Sequence, residues 1–447
     1  MTTNPSLVTC TGYGNSGSSA GTNLLEEFDG IQSFSDDFEC TFLHEADGVA
    51  DLESALTEGH RLKIDIAVKR FLNLSRALSR DSNYKKFFNG KFYDLSVEYI
   101  NSIIDFKWNG NWHRAYEVDG ISANENLRMR FAKEIYLKEV QKKKYDLYEA
   151  DHWAPEYKPF IDEYYAQCIR DPIYHERFIK QTRLYTSSLL REKDPKGTFR
   201  YLLIDQAIPA YNVAKYASYF ERAKTIIIDR DPRDLYACNK AEWGSRYIPT
   251  QNVETFIEWF RASRKPREYD LPKKDQVLFQ SFDALVYDYD SSVMKIISFL
   301  NLQKSDHTNP QTHFIPEKSR TNTQLYKRYP RLSVDIDRIE EELEEYCYPH
   351  TNRQAITIKE VDNDFVFIED ILQSVDIAQK NPSLTKKIKA SRLSLLFCMT
   401  RSVHYFRKIL EKKGTNRCKM LLKACLFLPL APFQMFYFSI RLFHPRR

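Results

Sequence analysis

Ser6-Leu7-Val8-Thr9-Cys10-Thr11 is followed without a break by Gly12-Tyr13-Gly14-Asn15-Ser16-Gly17-Ser18-Ser19, and then by Ala20 to Phe28 with Leu24, Leu25 and Phe28 on one helical face. The first run is short, apolar and β-branched, as a buried strand requires. A strand, a glycine-serine loop and a helix in that order form a cradle for an anion. Glycine permits positive φ and close backbone approach, while loop amides and the helix N-terminus offer donors and a positive dipole end. The spacing Gly12-x4-Gly17 is that of a P-loop, but Ser18 stands where nucleotide hydrolysis needs a lysine. The stretch predicts a phosphorylated ligand and argues against ordinary ATP hydrolysis.

The rest of the chain repeats the strand–helix rhythm. Phe38–His44 reads as a second strand, with helices at Val49–Leu56 and Leu62–Leu78. From 199 to 302 the pattern resumes, with strands at Arg200–Ile204, Lys224–Asp229 and Val277–Ser281. Helices are expected at Asn212–Phe220, Asp231–Lys240, Val253–Ser263 and Ser291–Leu300. Strands separated by helices predict an α/β fold with a parallel sheet covered on both faces. Residues 80–198 carry aromatics at helical spacing, as in Phe160-Ile161-x-x-Tyr164-Tyr165-x-x-Cys168, and read as a helical insertion. Arg331–Tyr346 reads as an acidic amphipathic helix. The expected organisation is therefore 1–79 and 199–348 as two parts of one P-loop-like α/β domain, 80–198 as an insertion and candidate acceptor region, 349–385 as a linker and 386–447 as a tail.

The net charge of +5 over 447 residues conceals a division. Residues 386–447 hold fifteen Lys/Arg against Glu411 alone, a local charge of +14 that leaves −9 for the remainder. The tail is also apolar, which turns the reading away from nucleic acid. Leu393, Leu396, Phe397, Val403, Phe406 and Leu410 share helical spacing, and residues 424–440 are largely apolar but broken by Pro429, Pro432 and Gln434. A basic amphipathic helix beside a short aromatic stretch suits an anchor on an anionic membrane surface; a complete span and packing on the body are the alternatives. Eight cysteines without a CxxC pair, and no signal-peptide pattern, suggest a reducing, cytoplasmic location on the inner membrane face. His307 and His313 lack metal-ligand company, and no metal is expected.

A second motif fixes the reading. The strand Lys224–Asp229 runs into Arg230-Asp231-Pro232-Arg233-Asp234 and a helix. Fixed arginines at the C-terminal edge of a parallel sheet lie where open α/β sheets bind ligands, and guanidinium matches phosphate. With "IIIDRDPRDLYACNK" (226–240), "VLFQSFDALVYDYDSSVMKIISFLNL" (277–302) and "HFIPEKSRTN" (313–322) in this order after the glycine loop, the chain resembles the sulfotransferases that use 3′-phosphoadenosine 5′-phosphosulfate. The resemblance covers about 6–60 and 199–330.

That resemblance implies that Gly12, Gly14, Asn15, Ser16, Gly17, Ser18 and Ser19 hold the 5′-phosphosulfate and Arg230 the 3′-phosphate. Cys238 stands where the family usually has a serine on the 3′-phosphate; a thiol is a weaker donor. Lys318 and Arg320 are additional candidate phosphate cations. Arg233 is expected to pair with Asp229 or Asp234. Asn15 replaces the family's lysine or arginine, with Lys63 and Lys318 as candidate substitutes. For the general base, Asp205 at the end of the strand 200–204 comes first, Glu45 second and His44 third; Ala207 occupies the place of the histidine found in many relatives.

The function implied is sulfonyl transfer to a hydroxyl of a cell-surface glycan or glycolipid precursor. A non-catalytic, sulfotransferase-like scaffold binding nucleotide or glycan at the membrane is the alternative, favoured by Asn15, Cys238 and Ala207. A kinase is disfavoured by the missing lysine and by the lack of a magnesium-holding carboxylate strand.

Overall fold

A computed structural model describes residues 6–33, 38–109, 164–169, 171–270 and 275–349, together with 360, 367–370, 372 and 373. The tail 386–447, most of the linker and the centre of the insertion lie outside the described residues. The chain forms two compact units. The first comprises residues up to 13, then 17–229 and 266–315; the second comprises 14–16, 230–265 and the residues from 316 onward.

The first unit is an α/β structure built on five parallel strands: β1 (Ser6–Gly12), β2 (Ile31–Ser33), β5 (Tyr201–Leu203), β6 (Ala223–Asp229) and β7 (Val277–Ser281), in the order β2-β5-β1-β6-β7. Leu7 pairs with Leu202 on one side and Ala223 on the other, which sets the register of the central strands. Because strand side chains alternate, neighbouring residues feed two different cores. Leu7, Leu202 and Ile227 join a core with the helices Val49–Glu58, Arg61–Leu78, Phe92–Ile103 and Tyr174–Arg191. Val8, Cys10, Ile226 and Ile228 join the opposite core with the helices Ser18–Leu25, Phe282–Tyr287 and Tyr289–Leu300. All five C-terminal strand ends, at Gly12, Ser33, Leu203, Asp229 and Ser281, share one edge of the sheet.

Two expectations are corrected. The edge strand beside β5 is Ile31–Ser33, whereas Phe38–His44 contributes only a single parallel bridge, from Glu39 to Asp205. Its alternating Phe38, Cys40 and Phe42 are buried against aromatic helices: Phe38 packs on Phe87 with ring centroids 4.8 Å apart. Alternation here marks a buried extended segment without a ladder. The other correction lies in the insertion. Tyr164–Gln167 is a strand (β4), paired antiparallel with Phe106–Asn109 (β3), although Tyr164 and Tyr165 sit in a pattern of helical spacing.

The second unit has its own core of Leu235, Tyr236, Phe256, Phe260, Tyr329, Ile336 and Ile339. These residues come from the helices Pro232–Cys238, Val253–Arg264 and Ser333–Glu342 and the turns around Tyr329. The acidic helix expected over 331–346 is the last of these. Among the described residues no helix is long and apolar enough to cross a membrane.

Candidate functional site

In the first unit the polar centre at the sheet edge is Gln206, three residues after the end of the strand Tyr201–Leu203. Its backbone sits at φ +56°, a left-handed conformation that a non-glycine residue adopts at a cost. Every polar group of Gln206 is used. Its backbone N–H donates to the Cys10 carbonyl at 3.0 Å, and its carbonyl lies 2.9 Å from His44 Nε2. The side-chain oxygen accepts from Thr11 Oγ1 at 2.7 Å, and the amide nitrogen donates to Ser18 Oγ at 3.0 Å. Gln206 thus clamps the end of β1 to the first residue of the following helix. The helix Ser18–Leu25 begins at Gly17 with no side-chain cap, so its first-turn amides are not consumed by a capping group. Gly17 is at φ +88°, and a Cβ there would lie 2.7 Å from Phe282 Cδ2.

The three candidate bases occupy different environments in this unit. Asp205 is buried, its carbonyl accepts from Cys40 N–H at 3.0 Å, and its charge helps burial push the Cys10 thiol well above its usual range. Glu45 is exposed, with one carboxylate oxygen 2.9 Å from Thr41 Oγ1. His44 is half-buried; burial holds its imidazole below the ordinary histidine value, against the opposing pull of the Gln206 carbonyl and Glu45. A carbonyl only accepts, so Nε2 carries the proton and Nδ1 the lone pair. His44 is the candidate brought to Gln206, beside the place of Ala207. Lys63 forms an exposed ion pair with Glu58 at 2.6 Å. His307 and His313 bond the carboxylates of Glu27 and Glu26 at 3.0 Å and 3.3 Å, fastening the 307–313 loop to the first helix.

In the second unit the loop apex Gly14–Ser16 meets the arginine motif. Arg230 donates from Nη1 to the Asn15 carbonyl at 3.4 Å and from Nη2 to the Asn322 carbonyl at 2.6 Å. Asn15 adopts φ +50°, which asparagine tolerates better than lysine. Its amide nitrogen donates to Ser245 Oγ at 2.9 Å, and its side-chain oxygen accepts from Tyr247 at 3.1 Å. Asn239 anchors this network, donating to Thr250 Oγ1 at 3.0 Å and accepting from Ser245 N–H at 2.9 Å. It opens a π-helical turn, Asn239–Trp243, an irregularity that often accompanies function. The Cys238 thiol is buried and pushed up to about 11 by that burial, partly offset by Arg230.

The two arginines of the motif are divided in role. Arg233 is almost wholly buried and bidentate to Asp231, with Nη2–Oδ2 at 2.7 Å and Nε–Oδ1 at 3.0 Å. It also reaches Glu340 at 3.1 Å and lies over the Tyr326 ring. Its partners are Asp231 and Glu340, not the expected Asp229 or Asp234. Asp229 lies 3.9 Å from Arg267, and Asp234 accepts the backbone N–H groups of Gln324 and Tyr326 at 2.7 and 3.1 Å. Arg320 pairs with Glu317 at 3.3 Å, and Lys318 is exposed on the short helix Pro316–Ser319.

Gln206, Asn239, Ser245 and Tyr247 were not singled out in the sequence. Nothing local announces a left-handed glutamine, while Gly244-Ser245-Arg246 before Tyr247 is a turn signal without a stated partner. The first unit is an α/β structure on a parallel sheet, and in the second unit Arg230 bonds the glycine-loop backbone at Asn15. No protein-family model matches this chain, nor does any curated protein or any solved structure.

Proposed function

We propose that the protein is a sulfotransferase, moving a sulfonyl group from 3′-phosphoadenosine 5′-phosphosulfate to a hydroxyl of a glycan or glycolipid precursor. One observation carries the reading: the guanidinium of Arg230 reaches back to the backbone of the glycine loop at Asn15. A phosphate-matching cation and a loop of left-handed residues thus occur together, although 215 residues of sequence separate them.

In this reading Arg230 and Cys238 hold the 3′-phosphate, and the loop from Gly12 to Ser19 holds the 5′-phosphosulfate. The uncapped amides of the helix Ser18–Leu25 face the charge that develops on the leaving phosphate. Lys318 and Arg320 are secondary cations. Sulfonyl transfer moves one S–O bond from the donor phosphate to the acceptor oxygen, and the acceptor proton needs a base. Asp205 and Glu45 remain candidates, and the geometry described above favours His44. The basic apolar tail 386–447 is proposed to hold the enzyme on an anionic cytoplasmic membrane surface.

Asn15 supports a second reading. With its side chain engaged by Ser245 and Tyr247, no lysine or arginine stands at that loop position to stabilise transfer. Loss of one such donor typically costs about 100- to 1,000-fold in rate. A binding scaffold that keeps the donor site without turnover would have this composition. Incubation with 35S-labelled donor and a membrane-glycan extract separates the two: label transferred by the wild-type chain but not by Arg230→Ala supports the enzyme, and donor binding without transfer supports the scaffold.

A further inference from the structure

The first unit carries a second constellation beside His44 that the donor reading does not use. Tyr211 is an exposed aromatic at 45% accessibility, in the loop that leaves β5 and passes through Gln206. Its ring stands edge-on to Tyr216 with centroids 6.2 Å apart, and Tyr216 stands edge-on to His44 at 6.0 Å. Tyr216 is core; Tyr211 offers a solvent-facing ring connected to the imidazole through it. Next to this step, Glu53 is almost buried and accepts from Tyr219 at 2.7 Å, His175 at 2.9 Å and Lys215 at 2.9 Å. Burial pushes the Glu53 carboxyl up, but the three hydrogen bonds and the lysine charge outweigh it and hold it below the usual range. His175 and Lys215 keep exposed surface while bound to Glu53.

We infer that Tyr211, Tyr216 and His44, flanked by Lys215, Glu53 and His175, form the acceptor subsite, and that it takes a neutral sugar ring. A pyranose presents C–H groups on its faces and hydroxyls around its rim. An exposed aromatic ring suits the first, because its face is apolar and electron-rich. A fixed carboxylate, lysine and histidine suit the second, because a hydroxyl both donates and accepts. Lys215 and His175 are both paired with the buried Glu53, so neither stands as a lone cation for an acidic sugar, and a lipid tail would leave the polar rim unused. The inference rests on the sulfotransfer reading for its chemistry. The sugar hydroxyl gives its proton to His44 Nδ1 while its oxygen bonds to sulfur; the bond from sulfur to the 5′-phosphate oxygen breaks, and adenosine 3′,5′-bisphosphate leaves with that electron pair.

The test is saturation-transfer NMR on the full chain in detergent, saturated with adenosine 3′,5′-bisphosphate. The probes are methyl β-D-galactopyranoside and methyl N-acetyl-β-D-glucosaminide, against wild type and Tyr211→Ala. Sugar binding in wild type that weakens about fivefold or more in the variant, as loss of one aromatic face entails, supports the subsite. Bisphosphate affinity, measured on the same samples by calorimetry, stays within about twofold, since Tyr211 is outside the donor machinery. Absence of sugar signal in a wild-type chain that binds the bisphosphate overturns the subsite and leaves the donor reading standing, as does a signal unchanged in the variant. A folded chain that does not bind the bisphosphate overturns the donor reading instead, and the acceptor assignment falls with it.

Discussion

Replacing Gly17 by alanine tests the local geometry of the loop, and Gly14 provides its internal control. Both glycines have nearly the same positive φ, +88° and +89°. Both would place a Cβ too close to an aromatic ring: 2.7 Å from Phe282 Cδ2 at Gly17 and 2.6 Å from Tyr247 Cε2 at Gly14. The backbone penalty for a Cβ in the left-handed region is therefore shared, about 1–2 kcal/mol, less about 0.4–1 kcal/mol from the stiffer unfolded chain. What differs is the neighbour. Phe282 is 6% exposed and belongs to the core beneath the first helix, so it cannot turn away without disturbing Leu24 and Leu285. Overpacking of this kind costs about 1–3 kcal/mol more. Tyr247 is 61% exposed and can swing into solvent, losing only its bond to Asn15. The expectation is about 3 kcal/mol of destabilisation for Gly17→Ala and about 1 kcal/mol for Gly14→Ala. Urea unfolding followed by circular dichroism measures both. Equal losses in the two variants, or a Gly17→Ala protein as stable as wild type, would refute the reasoning.

The remaining expectations follow from single contacts. Arg233→Ala removes the cation from a wholly buried Asp231, which keeps only the backbone N–H groups of Arg233 and Tyr348, and is expected to cost about 3 kcal/mol in urea unfolding, whereas Arg230→Ala costs less than about 1 kcal/mol; similar losses would dissolve the division of roles. Cys238→Ser supplies a stronger donor and is expected to tighten adenosine 3′,5′-bisphosphate about three- to tenfold by calorimetry, so an unchanged or weaker isotherm speaks against Cys238 at the phosphate. His44 is lowered by burial, so the unfolded chain binds the proton more readily than the folded one. Its contribution is complete above the ordinary value of about 6.5 and is lost as pH falls below it towards the lowered folded value. His44→Gln is therefore expected to flatten the decline in stability below about pH 6.5 in denaturation at stepped pH; a curve parallel to wild type would place His44 in solvent.

Much of the sheet was legible because its central strands are continuous apolar runs. The central strand Lys224–Asp229 differs from its expected bounds by one residue, because a strand buried on both faces does not alternate polar and apolar positions, and the edge strand Val277–Ser281 matches its bounds through the apolar run Val277-Leu278-Phe279. The opposite edge strand, beside β5, was not legible. Ile31-Gln32-Ser33 has one apolar side chain in three residues, and its pairing is set by β5, a partner some 170 residues away. The aromatics of Phe38–Phe42 carried the stronger local signal and belong to a different packing problem. The same holds for the site. Glycines and Arg230 announce themselves through residue type, and Arg233 separates from it only once Asp231 and Glu340 are seen around it. Gln206 has no sequence mark at all, since its role comes from a left-handed backbone and from Thr11, Ser18 and His44 converging on it. Asn15 is legible as a departure from the family pattern, but its ties to Ser245 and Tyr247 are tertiary.

The most direct test of the central claim is calorimetric titration of the full chain in detergent with adenosine 3′,5′-bisphosphate, wild type beside Arg230→Ala. The account predicts a single site of about micromolar affinity or tighter in wild type, weakened about ten- to a hundredfold by loss of the charge-assisted contact. A folded wild-type chain that gives no binding heat, or an Arg230→Ala protein that binds as tightly as wild type, would contradict it.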